Sequence, residues 1–280
     1  MAQTVAIYIF LAYFQFTRNY NPFFKRTPSI LEPMPIRPMY QRALGALHFL
    51  TIIRWGNPGR FDPMGIVVYF PVVGLVMGAL LALFDWGVSL LWPPPIVAAG
   101  AVVLLAVLSG ALHIDGLADT ADGVFSHRGR ERALEIMKDS RVGVMGAVVV
   151  FLSLALKIAG IAGIDHQRGL MLLVIPALAR GGIIAAMKWL PYGRPQGGTG
   201  KPFFNAKLSL RAFGGILPAI LLATLGGWQG VLVVGCFAGL TGSLFLFFKR
   251  QLGCITGDML GAMIEVTETG LFLAAAVNMP

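Results

Sequence analysis

Three aspartates, Asp115, Asp119 and Asp122, stand four and three residues apart in the stretch from Leu112 to Gly123. At about 100° per residue on an α-helix, all three carboxylates leave one face within a sector of about 60°. Like charges held this close each resist ionisation. A divalent cation with oxygen ligands removes that conflict, and Mg²⁺ suits it because it takes a few carboxylates together with substrate phosphate. A solvated acidic helix start, favoured by the helix dipole, is the plainer reading of the same residues. His113 falls off the acidic face and is a candidate base or a group placed behind the ligands.

Cationic and further acidic residues follow. The run Met137-Lys138-Asp139-Ser140-Arg141-Val142-Gly143 offers Lys138 and Arg141 as donors, and Ser140 and Gly143 allow a backbone to approach an anion. Cations are what a pyrophosphate needs opposite its metal; an anchor at the start of an apolar run is the rival explanation. The stretch 190–201, which carries Arg194, is glycine-rich and basic but lacks P-loop spacing, so it is a phosphate contact or a linker. Asp258 and Glu265 are seven apart, again on one helical face, with Glu268 after them. Lys157, Arg180 and Glu265 fall inside apolar runs, where ionisable residues are costly and either serve function or pair with one another.

The elements that must position these residues are membrane elements. The chain of 280 residues is 56% hydrophobic and 12% charged, with mean hydropathy +0.75; a soluble domain carries about twice that charged fraction. Apolar runs long enough to span fall at roughly 66–84, 96–112, 142–162, 170–189, 212–227, 230–248 and 259–277. The fold class expected is therefore all-α, a polytopic integral membrane helical bundle of about seven spans. A shorter apolar helix at 41–53 lies in the interface or re-enters the bilayer. Residues 1–40, proline-rich and basic after a short apolar stretch, read as an extension, membrane-skimming or untranslated, ahead of one catalytic domain at 41–280. Fourteen Lys and Arg fall in loops on one side of such a bundle and one, Arg168, on the other. That bias places the polar loops in the cytoplasm and explains the net charge of +9 without a nucleic-acid partner. Gly74-Gly78 and Gly235-Gly239 have the spacing of closely packed helices. Cys236 and Cys254 form no metal-binding or disulfide pattern and read as packing residues.

Several motifs in one order resemble the cobalamin synthase family, the adenosylcobinamide-GDP ribazoletransferases. They are Phe49-Leu50-Thr51, Tyr69-Phe70-Pro71-Val72-Val73-Gly74, Asp115 to Gly123, Arg132 to Gly143, Leu190-Pro191-Tyr192, and Thr256-Gly257-Asp258 with Gly261 and Glu265. Arg54-Trp55-Gly56-Asn57 departs from the proline-rich stretch usual there. The resemblance implies that a ribose hydroxyl of α-ribazole, or of its 5′-phosphate, attacks the phosphorus beside the corrinoid arm of adenosylcobinamide-GDP and releases GMP. It further implies Mg²⁺ on Asp115, Asp119, Asp122, Asp258 and Glu265. Substrate would meet Lys138, Asp139, Ser140, Arg141, Arg180 and Arg194, with Asp122 or His113 as base. The setting implied is a bacterial or archaeal cytoplasmic (inner) membrane, with lipid around the bundle and the oligomeric state open.

Other classes share parts of this pattern. A CDP-alcohol phosphotransferase also displaces at a pyrophosphate, but the Asp-Gly-x-x-Ala-Arg core of that family is not met here. A membrane prenyltransferase needs a second acidic loop, and 191–211 holds no acidic residue. An ion-coupled transporter would place carboxylates near the midplane of two related halves, whereas these cluster at span ends.

Overall fold

The computed structural model describes residues 38–277 except 140, 195, 196 and 199. The extension expected before Met39, and Ser140 among the candidate site residues, lie outside the described residues. The unit Tyr40–Pro280 carries every candidate site residue, and its described residues are helical with no strand beyond one isolated bridge.

Ten helical elements suffice to describe it: α1 (Met39–Leu50), α2 (Pro63–Val88), α3 (Pro94–Leu108), α4 (Leu112–Val124), α5 (Arg130–Ile136), α6 (Val144–Ala162), α7 (Arg168–Trp189), α8 (Leu210–Thr224), α9 (Gly227–Gln251) and α10 (Gly257–Ala275). Helices α2, α6, α7 and α9 are each long and apolar enough to cross a membrane, and α3 with α4 passes the same test only as a bent pair. This is the build of an integral membrane helical bundle.

The seven apolar runs thus resolve unequally. The run at 212–227 is interrupted: α8 begins as 3₁₀ helix over Leu210–Ile216 and becomes α-helix only at Leu217. Hydropathy registers apolarity and misses that break. The run at 259–277 forms one unbroken helix, but Asp258, Glu265 and Glu268 give α10 three carboxylates. It is nonetheless the hub of the bundle, packed on α4, α6, α7 and α9.

Two pairs of glycines with the same spacing have different fates. An added Cβ at Gly74 or Gly78 would run into the α7 backbone at Ala177 or Leu173, so this pair permits the α2–α7 contact. Gly235 and Gly239 face nothing within 4 Å among the described residues, because α9 lies at the edge, its apolar stretch 11% buried against 83% for that of α7. Of the two cysteines, Cys254 is buried and Cys236 partly so.

Helix α4 owes its direction to its start. Gly110 (φ 60°) and Ala111 (φ 56°) are consecutive left-handed residues and turn the chain by 90° between α3 and α4. Alanine in that region is strained, unlike glycine. If α3 runs across the membrane, α4 runs along the end of the bundle. With 13 residues and three aspartates, α4 is no span of its own.

Candidate active site

The acidic helix is held against α10 by two glycines. A Cβ on Gly116 would sit 2.6 Å from the Asp258 carbonyl oxygen, and one on Gly261 would lie 3.3 Å from His113 Cα. This close approach sets Asp115 and Asp119 beside Asp258, in the first turn of α10. Thr256 caps that turn, accepting the Met259 N–H, and a carboxylate there is favoured by the helix dipole.

These three carboxylates form an under-neutralised face. Asp115 is exposed, while Asp119 and Asp258 are half-buried. Partial loss of water around its carboxyl nevertheless raises Asp115. Asp119 is raised to about 7, first by burial and then by Asp115 and Asp258, with Arg194 opposing. Arg194 ion-pairs with Asp258 at 2.6 Å and donates to the Met137 carbonyl at 2.9 Å. It comes from the 190–201 stretch, which a parallel bridge between Tyr192 and Ile255 lays beside the start of α10. The Gly193 N–H donates to Ile255 O and the Ile255 N–H to Pro191 O.

The other expected site residues are placed elsewhere. Asp122 turns away to the start of α6, accepting the N–H groups of Gly143 at 2.6 Å and Gly146 at 2.8 Å. A helix start has unpaired N–H groups, and Asp122 caps them from a distant part of the chain. Glu265 and Arg180 belong to a network inside the bundle. Lys157 donates to Glu265 (2.5 Å) and Glu268 (2.8 Å), and Arg180 donates to Glu268 (2.8 Å). All four side chains are buried. His113 is buried on the α10 side, in the field of Arg180, Glu268 and Lys157, and neither ring nitrogen has a hydrogen-bond partner among the described residues. Asp139 and Arg141 pair with each other at the surface, through contacts of 2.6–3.1 Å, which hold the Asp139 carboxyl down at about 2. Lys138 is exposed.

Among the described residues, no three His, Cys, Asp or Glu side chains already converge on one point. A closed protein cage for a metal is therefore not formed by them. The donor chemistry of Asp115, Asp119 and Asp258 still fits Mg²⁺, which commonly uses one or two carboxylates and fills its shell with water and substrate phosphate. The mutual repulsion registered at Asp119 is the conflict such a cation relieves.

The pattern of the cobalamin-5-phosphate synthase family matches residues 42–276, which contain all of this arrangement. The chain belongs to that family. Relatives named adenosylcobinamide-GDP ribazoletransferase include one from Roseiflexus sp. (strain RS-1), 37% identical over 243 residues covering 84% of this chain and 89% of the relative. One from Syntrophobacter fumaroxidans is 38% identical over 240 residues, 82% of this chain and 96% of the relative. One from Pseudomonas putida (strain ATCC 700007) is 37% identical over 244 residues, 84% and 98% respectively. No solved structure matches the chain.

Three neighbours of this acidic face escape the reading of spacing and charge. The Tyr192 hydroxyl accepts the backbone N–H groups of Gly200 and Lys201, and its ring stacks on Phe204 at 4.8 Å, organising the glycine-rich stretch. Arg130, at the start of α5, reaches Cys254 beside α10. The Met137 carbonyl anchors Arg194. The abundance of Arg in the polar loops was the one available signal for Arg130; a carbonyl acceptor leaves none.

Proposed function

We infer that this chain is an adenosylcobinamide-GDP ribazoletransferase, which joins α-ribazole or its 5′-phosphate to adenosylcobinamide-GDP and releases GMP. Its full-length similarity to relatives of that name supports the activity, and the acidic face of α4 and α10 with Arg194 beside it is the observation that carries the site. Displacement at a pyrophosphate asks for positioning and charge neutralisation more than for covalent help.

In this reading Asp115 and Asp258 hold Mg²⁺, which supplies charge neutralisation at the pyrophosphate when bound. Asp119, the third carboxylate of this face, stands beside Asp115 and Asp258 and accepts the proton of the attacking hydroxyl. Neither Asp122, engaged in capping α6, nor His113, buried behind α10, is as well placed for that role. Arg194 stabilises the phosphate of the departing GMP, with exposed Lys138 as a further cation. The face opens to the cytoplasm of the inner membrane, where the basic loops gather and nucleotides are found. The ion network of Lys157, Arg180, Glu265 and Glu268 keeps α10 in register and does not touch substrate.

The experiment is GMP release by purified protein in liposomes, given adenosylcobinamide-GDP and α-ribazole. Release that requires Mg²⁺ and stops with EDTA is the expected result. Release indifferent to EDTA would remove the cation from this reading, and no release under any condition would remove the activity.

A further inference from the structure

We propose that Arg194 is a counter-cation that changes partner during the catalytic cycle: it neutralises Asp258 until a divalent cation binds, then passes to a phosphate oxygen of the nucleotide. This rests on the cation reading above and goes beyond it in assigning one residue two successive contacts.

Three observations point to this exchange. First, the Arg194 guanidinium stands 2.6 Å from Asp258 Oδ2, an oxygen shut away from water with no hydrogen-bond donor of good geometry among the described residues, so Arg194 supplies the charge opposite this carboxylate. A guanidinium and a divalent cation sharing one carboxylate repel each other, so binding of one weakens the other. Second, the nitrogen that meets Asp258, Nη2, also has a neutral holding point. It donates to the Met137 carbonyl at 2.9 Å, so release from the carboxylate need not release the side chain from the site. Third, Arg194 Nε is buried without an acceptor among the described residues. A guanidinium has five donors in a planar fork suited to phosphate, and here one of them is shut away from water and unused. A phosphate oxygen is the acceptor whose charge also compensates for the loss of Asp258.

Arg180 is differently placed. It too has an unpartnered Nε, but it is enclosed in the bundle and its carboxylate partner, Glu268, is shared with Lys157. No cation or substrate is needed to balance it. Arg194 faces three carboxylates with an exposed member, Asp115, among them.

The rival is a fixed strut, in which Arg194 simply ties the 190–201 stretch to α5 and α10. A strut and an exchanging counter-cation predict opposite signs. Mn²⁺ binding to the purified full-length protein, followed by electron paramagnetic resonance with and without GDP, separates them. Without nucleotide, Arg194→Gln should bind Mn²⁺ on the order of tenfold more tightly than wild type, since an adjacent opposite charge alters what a carboxylate binds by about that factor or more. With Mn²⁺ present, the same variant should bind GDP on the order of tenfold more weakly, having lost a charge-assisted phosphate contact. Arg194→Lys, which keeps the charge but not the fork, should fall between in both measurements, and it decides the matter if the glutamine variant fails to fold.

Unchanged or weaker Mn²⁺ binding by both variants would overturn the proposal in favour of the strut. Tighter Mn²⁺ binding with unchanged GDP affinity would overturn the transfer to phosphate. Wild-type protein that binds no Mn²⁺ would overturn the cation reading itself, and this proposal with it.

Discussion

Helix α10 carries acid at two levels, and the two are neutralised in different ways. Deep in the bundle, Glu265 and Glu268 meet Lys157 and Arg180, two anions against two cations, all buried and linked by direct contacts. In the first turn, Asp258 joins Asp115 and Asp119, three carboxylates beside the guanidinium of Arg194. The deep level is complete without a ligand. The shallow level is left short of positive charge at a place open to solvent. A closed set of buried charges specifies how helices pack, because any other register strands a charge in an apolar interior. An open set stores an electrostatic demand that a cation and a phosphate can meet. Depth along one helix separates structural from chemical use of the same residue type.

The largest expected effect would come from breaking the closed set. Glu268→Leu leaves Arg180 with only the Pro176 carbonyl and deprives Lys157 of one of its two partners. Removing one member of a buried ion pair costs about 3–5 kcal/mol, so the variant should melt far below wild type in detergent. An unchanged melting temperature would show that the network does not hold α10.

A smaller effect should follow from wedging the two helices apart. Gly116→Ala puts a methyl group 2.6 Å from the Asp258 carbonyl oxygen, and overpacking of this kind costs about 1–3 kcal/mol. Its turnover should fall more than its stability does, on the order of tenfold or more, because a small misplacement of reacting groups is costly. Full turnover in a folded Gly116→Ala protein would mean that the distance between α4 and Asp258 is not critical.

The gentlest perturbation is pH. The Asp119 value of about 7 lies above its ordinary 3.8, so the fold favours its protonated form. That contribution to stability is present below about 4 and is lost as pH rises to about 7. A cation competes with the proton, so Mg²⁺ affinity should climb between about pH 5 and 7, by no more than about tenfold per unit, and level off above that. Isothermal titration with Mg²⁺ at several pH values would detect it. A flat profile would place Asp119 away from the cation.

The aspartate motif was legible in the sequence because helical period is local: four and seven residues return a side chain to one face. The same period misled at Glu265, and the reason is geometric. Seven residues restore the angle but advance about 10 Å along the axis, so Asp258 and Glu265 share a face without sharing a depth. Asp122 illustrates another limit, since its role as cap of α6 depends on Gly143 and Gly146, partners that chain folding alone brings near. The ion pair of Arg194 with Asp258 joins residues far apart in the chain, and composition carries no trace of it. The helical bundle was legible from apolar runs. The break in α8 and the peripheral position of α9 were not, because hydropathy records preference for lipid without recording what each helix packs against.

The most direct measurement is a paired one: GMP release and melting temperature for Asp119→Asn beside Glu265→Gln, each in Mg²⁺ and with adenosylcobinamide-GDP and α-ribazole. Asp119→Asn should lose turnover by about 10²–10³-fold or more while melting at or above the wild-type temperature, because it removes a repelling charge. Glu265→Gln should melt lower and keep its turnover at temperatures where it stays folded. The opposite pattern, an active Asp119→Asn and a stable but inactive Glu265→Gln, would put the chemistry at the deep level of α10 and contradict the assignment of the α4–α10 face as the active site.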